Sequence, residues 1–292
     1  MRHGVLRGQL LMLASAFCFA LMALCTRLLP RLPSIEKVFF RSLFGLILVV
    51  CLYVVTRRPL GRPGNYRRLL WRGVAGTAAL LCYFYAIDHI GLPKATLYCY
   101  TYPVWSALFA WFELREKPHR LTLWSLPLGV VGTLLTLDFS TGHFAFSFGD
   151  LVGLAAGALT GSAIVSVRLL RGTESSGWIV IFFTLVGTIV TAFPTALHFV
   201  VPHAREWLLV VGMVAFATVA QLLMTNAYRV LTAAQGGLLS LTVVVWSAMF
   251  GTLFLGDTMP MRFWIGAAMI LGSAAVATLE GTRGESTPVP CD

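Results

Sequence analysis

Apolar residues in this chain come in runs about as long as a bilayer is thick, one after another, with little between them. A hydrocarbon core of roughly 30 Å takes about 20 helical residues to cross. Runs of that kind occupy residues 6–29, 35–56, 69–88, 94–112, 121–137, 148–170, 177–199, 207–228, 234–255 and 261–279. The segments between them are short and hold Pro, Gly or charge, as at Pro30–Pro33, Arg57–Gly64, Gly91–Pro93 and Gly256–Pro260. The pattern predicts an all-α integral membrane protein of about ten transmembrane helices, with no length left for a soluble domain. The polar segment 281–292, with Pro288 and Pro290, reads as a disordered tail. Composition agrees: 58% of residues are hydrophobic and 12% charged, against roughly a quarter charged in soluble domains. That balance excludes a disordered chain and argues against a cytosolic enzyme. The net charge of +10 is spread along an apolar chain rather than gathered on a face, so no nucleic-acid partner is expected.

The sequence repeats itself at a spacing of 141 residues. Trp105-Ser106-Ala107 returns as Trp246-Ser247-Ala248, Thr77 as Thr218, Thr101 as Thr242, Phe109 as Phe250, and Arg27-Leu28-Leu29 as Arg168-Leu169-Leu170. The second span against the seventh matches weakly at this spacing. Two halves, 1–140 and 141–280, are expected, each of about five spans. An odd number per half makes the second half start on the opposite side, so the repeats are expected to be inverted. Loop charge is consistent with this. With the N-terminus inside, the cytoplasmic segments hold 15 of the 22 Lys and Arg and the outer segments 7, which predicts both termini in the cytoplasm. The segment Arg57–Arg72 carries most of that weight.

All Asp, Glu and His residues fall at span ends, in loops or in the tail. None stands at mid-membrane, where an ionisable group is a functional candidate by default. A carboxylate proton relay is therefore not expected, nor a metal site or cofactor. The cysteines show no C-x-x-C spacing and read as small packing residues.

What is left inside the membrane is neutral, polar and aromatic. Tyr98, Thr101, Tyr102 and Trp105 share one face of the fourth span, and Pro103 interrupts its hydrogen-bond ladder. Thr242 and Trp246 lie on the related ninth span, Thr218, Gln221 and Thr225 on the eighth, and Thr77 and Tyr83 on the third. Burying an amide such as that of Gln221 unpaired costs on the order of 4–8 kcal/mol on hydrocarbon scales, so it must face other helices or a wet cavity. Each residue has an alternative use, an interhelical hydrogen bond or, for the rings, a place at the lipid interface. Arg41, inside the second span, either attracts a carboxylate or snorkels to the headgroups. Gly149, Gly153, Gly157 and Gly161 form a stripe on the sixth span that admits a close neighbour. Together these features predict a cavity for a small-molecule substrate, with Pro103 as a helix break suited to gating.

Several motifs in order carry a family resemblance. The run Ala86-Ile87-Asp88-His89-Ile90-Gly91-Leu92-Pro93-Lys94-Ala95, then Tyr102-Pro103-Val104-Trp105-Ser106-Ala107-Leu108 and Glu113-Leu114-Arg115-Glu116-Lys117, resembles the EamA-type modules of the drug/metabolite transporter superfamily. Leu255-Gly256-Asp257, Gly266–Ser273 and Phe40-Arg41-Ser42-Leu43 resemble it too. The resemblance implies ten helices in an inverted five-plus-five arrangement. It also implies a central cavity formed mainly by the first four spans of each half, and movement of small metabolites, commonly amino-acid export, across the bacterial inner membrane. It leaves room for a homodimer through the fifth and tenth helices. Val244 stands where a proline opposite Pro103 is expected, which puts in doubt whether both gates bend alike. The competing reading is an integral-membrane enzyme acting on lipid-linked or phosphate-bearing substrates, kept open by the basic segment Arg57–Arg72.

Overall fold

The computed structural model describes residues 2–57, 60–90, 95, 98–115, 120–136, 147–256 and 260–283. The described residues form helices and connecting turns, with no strand among them. The helices are α1 (Arg2–Arg27), α2 (Ser34–Val55), α3 (Tyr66–Ile90), α4 (Tyr102–Glu113), α5 (Arg120–Thr136), α6 (Phe148–Leu170), α7 (Ser176–Leu197), α8 (Ala204–Ala227), α9 (Ala233–Ser240), α10 (Thr242–Leu255) and α11 (Met261–Arg283). Among the described residues, seven stretches are long and apolar enough to cross a membrane, α9 and α10 counting together as 233–255. Shorter apolar helices lie at 123–135 and 261–276. Lys94, Glu116, Asp257 and the tail from residue 284 lie outside the described residues, while α11 runs past Gly281 to Arg283.

The outer surface is that of a membrane protein. Val55, Trp124 and Leu208 are 78–80% exposed, and many Leu, Ile and Phe side chains face outward beside them. Such a surface is stable only where lipid, not water, covers it. The interior is close-packed through small residues instead. The glycine stripe of α6 lies under the fourth span: a Cβ on Gly157 would stand 2.5 Å from the Tyr98 carbonyl, and one on Gly161 2.6 Å from Trp105 Cβ.

Helix packing exchanges the two halves of the chain. α1 packs on α8 as α6 packs on α3, α1 on α10 as α6 on α4, and α2 on α8 as α7 on α3. α2 meets α7, and α5 meets α11, across the middle. The same exchange appears atom by atom where α2 crosses α7. A Cβ on Gly45 would lie 3.4 Å from Thr218 Oγ1 and 3.6 Å from Thr184 Cγ2. One on Gly187 would lie 2.5 Å from Ser42 Oγ and 3.7 Å from Thr77 Oγ1. Ser42 and Gly45 thus correspond to Thr184 and Gly187 at a spacing of 142, not 141. With that one-residue slip Ser34 meets Ser176, Val38 meets Val180, Phe40 meets Phe182, Leu43 meets Leu185 and Ile47 meets Ile189. This is why the second and seventh spans look unrelated at the common offset.

The fourth and ninth spans break at related points. Turns at Tyr100 and Thr101 precede α4, and Leu241 separates α9 from α10. Thr101 Oγ1 donates to the Tyr98 carbonyl at 2.6 Å, and Thr242 Oγ1 to the Leu239 carbonyl at 2.7 Å. The ninth span, with Val244 in place of a proline, breaks as well. The shared device is a threonine hydroxyl that holds the carbonyl three residues back. Tyr102, just past one break, hydrogen-bonds Ser240, just before the other.

Candidate functional site

A small polar space lies where α2, α7 and α8 converge. Arg41 and Ser42 line it from α2, Phe183 and Thr184 from α7, and Thr218 and Gln221 from α8. The small residues at the α2–α7 crossing bring these helices close, so polar side chains on three of them reach one space. Two hydroxyls are satisfied within their own helix: Thr184 Oγ1 donates to the Val180 carbonyl at 2.9 Å, and Thr225, one turn from Gln221, donates to the Gln221 carbonyl at 2.7 Å. Gln221 Nε2 is buried with no hydrogen-bond partner. The room left free among these side chains is only about that of a single water. In this conformation the space holds a small group and must widen for a larger one.

One residue of this site was misplaced by its sequence position. Arg72, counted above as a loop charge, is six residues inside α3 and 5% exposed. Its Cζ lies 4.3 Å from the centroid of Phe183, while Arg41 Cζ lies 5.7 Å from the same ring. Arg41 and Tyr228 are its electrostatic neighbours. Arg72 Nε and Nη1, the Tyr228 hydroxyl and the Thr77 hydroxyl have no hydrogen-bond partner. Stacking on a ring supports a guanidinium by about 0.5–2 kcal/mol, but it leaves the donors unpaired.

Of the residues singled out in the sequence, Arg41, Thr218 and Gln221 meet at the cavity, and Thr77 lies beside Gly187 at its edge. The others are placed elsewhere. Tyr98 packs on Gly153 and bonds Asp150. Trp105 Nε1 donates to Thr101 Oγ1 at 3.2 Å, and both rest on the glycine stripe. Tyr102 ties α4 to α9, and Pro103 packs on Gly237. Tyr83 neighbours Tyr100. Thr242 stands at the α9–α10 break, and Trp246 meets Phe17 edge-on, with ring centroids 5.2 Å apart. Ser42, Phe183, Thr184 and Arg72 join the site unannounced. The one-residue slip would have found Ser42 with Thr184.

Both ends of the bundle are tied across helices. At one end Glu174 accepts from the Gly64 and Asn65 amides at 2.8 Å each, and Arg168 donates to the Tyr228 and Arg229 carbonyls at 3.1 Å. Burial, with Arg229 nearby, holds the Arg171 guanidinium below its ordinary value there. At the other end Arg31 pairs with Glu206 at 3.2 Å, and Glu36 accepts from the Val200 amide at 3.2 Å. Asp150 likewise caps its own helix, in a capping box with Ser147.

A multi-pass helical protein with a polar chamber inside a lipid-facing shell has the architecture of a solute carrier. The EamA-like transporter family matches the chain twice, over residues 6–138 and 147–279, and the chain belongs to that family. The Pseudopaline exporter CntI of Pseudomonas aeruginosa is 32% identical over 281 residues, covering 95% of this chain and 97% of the relative. Solute carrier family 35 member G1 of Homo sapiens is 21% identical over 289 residues, covering 92% and 78%. A riboflavin transporter of Brucella anthropi is 22% identical over 250 residues, covering 83% and 87%. A solved crystal structure superposes with a TM-score of 0.83 at 21% identity, covering 94% of this chain and 98% of its own, which establishes the fold.

Proposed function

We propose that the protein is a secondary transporter that moves small metabolites across the bacterial inner membrane by alternating access. Amino acids, aromatic ones included, or related compounds are its substrates, and it works as an exporter or facilitator. The observation that carries this reading is the polar cavity at the α2–α7–α8 junction. It holds a cation, hydroxyls and an orphan amide donor inside a shell that faces lipid, in a chain of a transporter family. A site built to be filled and emptied leaves polar groups waiting for a ligand, whereas a purely structural core pairs them.

The arrangement that goes with this function is ten spans in two inverted repeats, residues 1–140 and 141–280, with both termini in the cytoplasm. The exchange of packing partners between the halves supports it. So does the recurrence of the same break in the fourth and ninth spans. The Glu174 and Arg168 ties then close the cytoplasmic end, and the Arg31–Glu206 and Glu36–Val200 ties the outer end. Glu36, Asp150, Glu174 and Glu206 sit in ties and caps at helix ends, which supports transport without an intramembrane carboxylate relay.

Purified protein in vesicles loaded with a mixture of amino acids and related metabolites tests the reading. Release of at least one solute faster than from protein-free vesicles is expected. Release no faster than from protein-free vesicles for every solute contradicts it.

A further inference from the structure

We infer that Arg41 and Arg72 together receive a substrate bearing two oxyanionic groups, of the dicarboxylate class. The inference rests on the transporter reading above and names its substrate chemistry.

The two guanidiniums come from α2 and α3 and share one ring, Phe183, at 5.7 and 4.3 Å. Phe183 is buried and Arg72 is buried with it, so Arg72 does not snorkel to a surface, while the half-buried Arg41 reaches the same ring from α2. Like charges held this close inside a membrane repel. The groups lining the cavity include no acid, and the ion pair found among the described residues lies at one end of the bundle, between Arg31 and Glu206. Arg72 Nε and Nη1, beside Phe183, and Gln221 Nε2, at the cavity wall, are buried donors without a partner, and the unpartnered Tyr228 hydroxyl is an electrostatic neighbour of Arg72. Two guanidiniums over one ring, with unpaired donors beside them, call for an acceptor that is negative. The planar guanidinium fork fits the two oxygens of a carboxylate or phosphate. One such group neutralises one arginine; two arginines call for two groups. At the corresponding positions of the second half stand Phe183 and Met213, so the charge comes from the first half alone and orients the anion toward α2 and α3.

Full-length protein in nanodiscs of zwitterionic phosphatidylcholine, titrated calorimetrically with glutarate, butyrate and glutaramide, tests the inference. Glutarate is expected to bind at least about tenfold more tightly than butyrate, each charge-assisted pair being worth about that much, and glutaramide not measurably. Arg72→Gln and Arg41→Gln should each weaken glutarate by about tenfold or more, and Arg72→Lys by less than Arg72→Gln. Repeating the titration with phosphatidylglycerol in the disc separates a soluble dianion from a lipid headgroup as the occupant. Unchanged glutarate affinity supports the soluble substrate, and a loss of about tenfold or more assigns the arginines to lipid and overturns the inference. The charge selectivity of the unmodified protein requires no variant to fold. Equal binding of all three compounds, no binding of glutarate, or an Arg72→Gln protein that titrates like the parent overturns it as well. If vesicle release of metabolites persists in that event, the transporter reading stands and only the dianion class falls.

Discussion

Gln221 puts an amide donor at the cavity wall with nothing to bind, which is unfavourable for a packing residue and useful for a ligand contact. Gln221→Leu removes the orphan donor, so stability is expected to hold or to rise by about 1–2 kcal/mol, while transport falls. Thermal unfolding and vesicle release, read together, check this; an unchanged rate would leave Gln221 a packing residue. Gly187 is the reverse case, with no room to spare beside Ser42. Gly187→Val overpacks the α2–α7 crossing and should cost about 1–3 kcal/mol, seen as a lower melting temperature. At this scale Arg41, Thr218 and Gln221 were legible because polar groups are expensive in an apolar span. Arg72 was not, because its spacing from the Arg-rich connection made it look like one more loop charge. Ser42 and Thr184 were hidden by a one-residue slip that no single offset displays.

Among the elements, the broken spans decide how the bundle can move. Proline marked one break in the sequence, and its absence obscured the other. The two share Thr101 and Thr242, whose hydroxyls take up carbonyls at the bend. Thr242→Val deletes that bond without changing volume much and should stiffen the junction of α9 and α10. Slower amide exchange around residues 239–244 and a lower transport rate are expected; faster exchange there would show the hydroxyl stabilises the junction instead. Tyr102→Phe cuts the link from one break to Ser240 at the other. A loss of about 0.5–1.5 kcal/mol in thermal unfolding is the expected cost. The aromatic face of the fourth span was visible from spacing, but spacing alone did not reveal its neighbour. The glycine stripe of α6 lets that face lie flat against a helix, so Tyr98 and Trp105 meet backbone where a cavity was expected.

For the whole molecule, the main helix contacts follow the repeat: α1 on α8 as α6 on α3, α1 on α10 as α6 on α4, and α2 on α8 as α7 on α3. Apolar run lengths made the membrane fold legible, since nothing else satisfies the backbone in lipid. The meeting of α2, α7 and α8 was not legible, because it depends on which small residues face each other across halves. Opening one end should release the Glu174 tie at Gly64 and Asn65 while the Arg31–Glu206 tie holds, and the reverse for the other end. The decisive measurement is side-specific labelling at the chamber wall, with Thr218→Cys in a cysteine-free background and a thiol reagent that cannot cross the bilayer. The account predicts that Cys at this position reacts from either side, in proportion to how often each end opens, and is shielded when the chamber is filled. Reaction from one side only, or from neither, under conditions in which the protein transports would contradict it.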